Sequence, residues 1–274
     1  MLKRRTLLAS TLASTAVSLL PRAAFGAEPA LKLFDTHAHF YTNEPAKYPF
    51  NASGSRYGAE RMIAKATANP MTPAVVFAFW DKVGVEMGTG VQYNSTYATD
   101  NSYLLDVSLQ HPDRILPVVI LAPTDAATPA TLQKMAKDSR LTAVRFSGSP
   151  NDKGEVPFLS AAADDTWAAA NELGIGMVLM VLGNNAPLAL PKVGEYADRY
   201  PNVKVIMDHI AFPRPELLPE TFGLTPQHVS MRDHKNIYQK FTSFLLSEME
   251  VGAKAANKPM VEDKPLLHHM IETF

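Results

Sequence analysis

From about residue 30 onward the chain alternates between short apolar runs and longer mixed stretches. The runs are Leu33–Phe40, Ala74–Trp80, Ile115–Leu121, Thr142–Phe146, Ile175–Val181, Val203–Asp208 and Ile237–Phe241. Most are near-continuous and rich in Val, Ile and Met, as strands buried on both faces of a parallel sheet are. The stretches between them carry helix punctuation. Thr128-Pro129 and Thr225-Pro226 each set a capping Thr before a Pro at the first helical position. Asp164 or Asp165 opens a helix through Trp167 and Leu173 that Gly174 can close. Asp100 opens another, carrying Leu104, Leu105 and Leu109 towards His111-Pro112. Strand then helix, repeated every roughly 30 to 40 residues, means βα units.

Seven such strands in order, with no Gly-rich nucleotide loop after the first, fit a TIM-type (β/α) barrel better than a doubly wound sheet. A barrel of this type takes eight strands. The sequence supplies seven and one last helix, Lys264–Phe274. The expected architecture is an α/β barrel lacking its eighth strand at the C-terminus. An open barrel would leave its first and seventh strands as unpaired edges; either the chain is truncated, or a partner or rearrangement covers the gap.

The first 26 residues do not share this rhythm. Met1-Leu2-Lys3-Arg4-Arg5 is basic, Thr6–Leu20 is apolar and uncharged, and Ala24 and Gly26 have the spacing of a cleavage site. This predicts a signal peptide over 1–26, with Arg4-Arg5 resembling a twin-arginine signal. The expected location is periplasmic, with no stable membrane anchor after cleavage; the apolar run is short for a span. Residues 27–274 then form one domain.

Composition narrows the chemistry. With 274 residues, 46% of them hydrophobic, the chain can bury a full core. A net charge of -1 gives no reason to expect nucleic acid as partner. There is no cysteine, so disulfides, thiolate metal sites and a Cys nucleophile are excluded. Any metal must be held by His and carboxylate.

In a barrel of this kind the working residues lie at the carboxyl ends of strands. The first strand ends in Asp35-Thr36-His37-Ala38-His39, and the period of two puts His37 and His39 on one face. Together they suit one metal ion or one anionic substrate. Equally, one is a hydrogen-bonded core residue and the other a loop residue. Arg145, between Val144 and Phe146, needs an anionic ligand or a surface acid as partner. His209 follows an apolar strand directly and is expected at the barrel mouth. Asp208, one residue earlier, is expected to face away in a structural role. Lys240 faces either the pocket or the helix layer. Tyr41, Tyr57 and Tyr93 fall in predicted βα loops, as pocket residues or packed aromatics. His111, His228, His234, His268 and His269 read as surface residues.

Phe34-Asp35-Thr36-His37-Ala38-His39, Val144-Arg145-Phe146 and Val205-Ile206-Met207-Asp208-His209-Ile210, in this order, resemble the amidohydrolase superfamily. The branch is the one with 2-pyrone-4,6-dicarboxylate lactonase and the metal-dependent decarboxylases. The resemblance implies a TIM-type barrel and, usually, hydrolysis. In metal-dependent members the first-strand histidines, a fifth-strand histidine and an eighth-strand aspartate hold a divalent metal, and a sixth-strand histidine assists. His37, His39 and His209 match the first pair and the sixth-strand position. Met177–Gly183 contains no histidine, and the eighth-strand aspartate has no counterpart before Phe274. The missing fifth-strand histidine resembles the lactonases, which work without metal.

The resemblance therefore implies a hydrolase of a small carboxylated cyclic ester. His37, His39 and His209 would polarise its carbonyl, Arg145 would anchor a carboxylate, and Tyr57 and Tyr93 would line the pocket. A first alternative is a metal-dependent decarboxylase with zinc on His37, His39 and a further ligand. A second is a truncated, inactive chain.

Overall fold

Neighbouring residues along the central strands look in opposite directions, and this splits them between an inner and an outer apolar cluster. The computed structural model describes residues 32–55, 57–148, 150–151, 155–181 and 186–274. The expected signal segment lies outside the described residues, and the twin-arginine motif with it. No helix among the described residues is long and apolar enough to cross a membrane.

The strands are β1 (Leu33–Ala38), β2 (Val85–Val91), β3 (Ile115–Ile120), β4 (Ala143–Gly148), β5 (Gly176–Val181), β6 (Lys204–Met207) and β7 (Ile237–Gln239). They form one parallel sheet in the order of the chain, β1 to β7. Curled with the helices outside, it is a TIM-type (β/α) barrel one strand short of eight among the described residues. Val91, Val118, Ala143, Val178 and Ile206 pack together on the inner face. The outer face carries Val119, Val144, Met177 and Val205, packed against helix residues such as Trp167 and Leu190. Each pair of sequence neighbours, Val118 and Val119 or Val205 and Ile206, is split between the two cores.

The second strand differs from expectation. Ala74–Trp80 lies inside a helix, Pro73–Val83, and the strand is Val85–Val91. Pro73 at the start and Gly84 at the end, with φ of 80°, bracket the helix. Its apolar residues fall on both the buried face (Val76, Trp80) and the exposed one (Val75, Phe79). That continuity hides helical periodicity. The true strand reads as polar because it contains Glu86, Gly88, Thr89 and Gly90. Close approach demands its glycines: a Cβ at Gly88 would lie 2.6 Å from the Asp35 carbonyl oxygen, and one at Gly90 2.4 Å from Ile115.

His228 is the other departure. Expected on the surface, it is buried. It completes a capping box with Thr225 at the start of the helix Pro226–Ser230. Its Nδ1 accepts from the Thr225 amide at 3.2 Å and its Nε2 donates to the Ala211 carbonyl at 3.4 Å. Burial, opposed by the Ala211 contact, lowers its pKa to about 4.

Candidate active site

The inner-face alternation continues past the ends of the strands. Ala143 faces inward, so Arg145 does too; Ile206 faces inward, so Asp208 does too. The strand register holds Arg145 beside Ile120 and Val178. After β7 the ladder runs one residue further, with the Lys240 amide donating to Met207 at 2.9 Å. Four chain segments therefore bring their polar residues to one point.

Asp208 is at that point, and the expectation that it faces away is corrected. It is fully buried, and its Oδ2 accepts from Arg145 Nε at 2.7 Å. Its Oδ1 lies 3.3 Å from Lys240 Nζ and 3.4 Å from His37 Nδ1. A buried carboxylate demands such partners, since alone it would be neutralised. Burial pushes its carboxyl up, but Arg145, His37 and Lys240 outweigh that and hold it well below the usual carboxylate range. Burial lowers the Lys240 ammonium pKa against the opposing pull of Asp208. Arg145 gives its Nε to Asp208, and one of its two terminal guanidinium nitrogens, Nη2, contacts Met180 Sδ at 3.2 Å.

His37 and His39 meet edge to face, with their Nε2 atoms 3.3 Å apart. His39 Nδ1 must donate to the Val91 carbonyl, 2.7 Å away, so neutral His39 keeps its lone pair on Nε2. His37 Nε2 therefore carries the proton that the pair shares. The remaining nitrogen of His37 and Oδ1 of Asp208 face each other without a well-directed hydrogen bond. A second proton arriving on His37 would be held there by the carboxylate. Burial lowers the pKa of His37 against Asp208, and burial followed by the charges of His37 and Arg145 puts His39 well below the ordinary value.

His209 reaches the same place by an unusual backbone. His209, Ile210, Ala211 and Phe212 all have φ between 51° and 54°, and none is glycine. The turn swings the His209 ring to 5.2 Å from that of His37, between Phe212 and Phe244. Its Nδ1 bonds Thr242 Oγ1 at 2.6 Å, and burial pulls its pKa to about 3. All three imidazoles are thus biased to the neutral form.

Tyr93 stacks on His39 with centroids 4.4 Å apart. A 520 Å³ cleft opens onto both first-strand histidines between Tyr41, Tyr93, Met71 and Trp80, a size that suits a small molecule. Tyr57 does not join this group; it is 45% exposed on its loop. Sequence reasoning missed Asp208 and left Lys240 open. Counting in twos from Ile206 would have found the aspartate.

Among the described residues, His37, Asp208 and His209 form a group with ligand atoms within 4.8 Å of one another. Its donor chemistry does not suit a divalent ion as it stands. Both carboxylate oxygens already face cations, and with neutral imidazoles the centre carries one negative charge against two positive ones. Such a centre favours an anion.

Several solved structures share the fold. A probable 2-pyrone-4,6-dicarboxylic acid hydrolase from Acinetobacter baumannii, with citric acid bound, aligns with a TM-score of 0.57 at 16% identity over 82% of this chain and 78% of its own. An amidohydrolase from Burkholderia multivorans with bound zinc gives 0.58 at 14% identity, over 82% and 79%. A dihydroxybenzoic acid decarboxylase from Polaromonas sp. JS666, with manganese and the inhibitor 2-nitroresorcinol, gives 0.56 at 16% identity, over 86% and 87%. No curated protein sequence matches the chain. The amidohydrolase family profile matches residues 34–274, from the first strand through the last helix, and the chain therefore belongs to that family as an amidohydrolase-type enzyme.

Proposed function

We propose that the protein hydrolyses a small carboxylated cyclic ester without a metal ion. The observation that carries this reading is the centre around Asp208: two cations on one carboxylate that faces His37, which with His39 opens onto a small-molecule cleft. The bound citric acid of the Acinetobacter relative supports a carboxylate ligand in this fold. In the reaction, water adds to the lactone carbonyl carbon, the ring C–O bond breaks, and the water's proton ends on the released oxygen. His209, with its Nδ1 held by Thr242, polarises the carbonyl through Nε2–H. The His37–His39 pair, with His37 oriented by Asp208, takes the proton on the His39 Nε2 lone pair and returns it. Arg145 acts through Asp208, holding it ionised and in place. Tyr93 fixes the ring plane of His39.

The engaged carboxylate counts against a metal-dependent decarboxylase. The test is loss of the pyrone absorbance of 2-pyrone-4,6-dicarboxylate and related lactones, with and without chelator. Turnover that survives chelation supports the reading; turnover abolished by chelator and restored by zinc or manganese overturns it. The basic start and apolar run of residues 1–26 support export to the periplasm, which cell fractionation checks.

A further inference from the structure

The Asp208 centre holds one more cation than its carboxylate needs. Arg145 alone makes a 2.7 Å bond to Oδ2. Lys240 is nevertheless buried at 7% exposure, with its ammonium 3.3 Å from Oδ1. It makes no well-directed hydrogen bond there, so Oδ1 lacks a hydrogen-bond partner. An ammonium buried this close to a carboxylate, without a well-directed hydrogen bond to it, acts on it chiefly through its charge.

We propose that Lys240 is the built-in cation of this site: its ammonium takes, beside Asp208, the electrostatic place of a divalent metal and keeps the His37–Asp208–His209 group closed to one. Zinc binds a carboxylate oxygen at about 2 Å. An ion on Oδ1 would then lie within about 5 to 6 Å of the Lys240 nitrogen, at low dielectric, where like charges repel strongly. Arg145 on the other oxygen adds to that repulsion. Asp35, held by Trp80 Nε1 and the His37 amide, offsets part of it and is the last of the charges acting on Lys240, behind Asp208 and Arg145. Without the Lys240 charge the centre becomes neutral and the three donors keep their spacing. The proposal rests on the metal-free reading above, but its test reads metal occupancy rather than turnover, so either can fail alone.

The experiment compares the full chain with Lys240→Met and Lys240→Arg. Each protein is equilibrated with zinc, dialysed, and analysed for metal per chain, with calorimetric titration for affinity and near-UV circular dichroism for folding. The wild type and Lys240→Arg should retain no stoichiometric zinc. Folded Lys240→Met should retain about one zinc per chain, bound at least about a hundredfold more tightly than by the wild type. A wild type that retains about one zinc overturns the proposal whatever the variants do. So does a folded Lys240→Met that binds no better than wild type. If Lys240→Met does not fold, Lys240→Gln replaces it under the same criteria. If neither folds, the wild type and Lys240→Arg decide: zinc retained by either overturns the proposal, and zinc excluded by both supports it.

Discussion

Two buried histidines on neighbouring segments make an instructive pair. His209 and His228 are both nearly inaccessible, and burial lowers both, to about 3 and about 4. They differ in what surrounds them. His228 uses one ring nitrogen to cap a helix and the other to hold the Ala211 carbonyl. His209 gives one nitrogen to Thr242 and turns its ring towards His37 and the charged centre. Burial sets the protonation state of each; only the neighbours separate a packing element from a group that can meet a ligand. The same contrast holds for charge. Arg199 and Asp164 pair at 2.9 Å at the surface, where such a bond contributes little. Arg145 and Asp208 pair at 2.7 Å in the interior, where neither tolerates losing the other.

The largest effect should come from Asp208→Asn. It leaves Arg145 and Lys240 without their counter-charge and His37 without its orienting group. Urea unfolding should show a loss of about 3–5 kcal/mol, and lactone turnover should fall by roughly 10²–10⁴-fold. His37→Asn should lose turnover on that same rough 10²–10⁴ scale with a much smaller change in stability. Equal losses of stability in the two variants would remove the distinction drawn here between positioning and chemistry.

His228→Gln should behave in the opposite way, with turnover kept and stability changed in a pH-dependent manner. An unfolded imidazole titrates near 6.5, whereas folded His209 and His228 titrate near 3 and 4. Below 6.5 the unfolded chain therefore binds more protons than the folded one. The stability contributed by keeping these rings neutral is complete above pH 6.5 and declines as pH falls towards 4. For His228 the decline is on the order of 3 kcal/mol. The substitution should remove its share of that slope in denaturant titrations run from pH 7 to pH 4, and an unchanged slope would place the titration elsewhere.

Gly90→Ala tests the second strand. Its Cβ would fall within 2.6 Å of Leu104 and closer still to Ile115, so a cost of about 1–3 kcal/mol is expected in the melt. The smallest effect is predicted for Tyr57→Phe, which should leave turnover and melting unchanged. A change in KM would draw that loop into the cleft.

The candidate site was partly legible because some of it is local. His37-x-His39 needs only the period of two to share a face, and the rings do meet. Tyr93 was readable as a loop aromatic, and its stacking on His39 follows from the turn after β2. Asp208 and His209 are adjacent, and strict alternation allows one of them to face inward, not both. The left-handed turn beginning at His209 breaks the alternation and brings both in. Nothing in the residue types announces it, since that conformation is usually the province of glycine and none is present. The second strand was illegible for a related reason. Gly88 and Gly90 are there for close packing against Asp35, Trp80 and Ile115, and their small size erases the apolar pattern that marks a strand.

The sequence by itself determined the βα rhythm, the parallel sheet in chain order, the two-sided burial of the central strands and the presence of two histidines on one strand face. These follow from side-chain period and capping chemistry, which operate within a few residues. Only the tertiary structure decided that Arg145 answers Asp208 across 63 positions of the chain, that Lys240 faces the same carboxylate, and that His228 is a buried cap. The physical reason is that a buried charge or imidazole is defined by its partners. Those partners come from whichever strands the register places beside it.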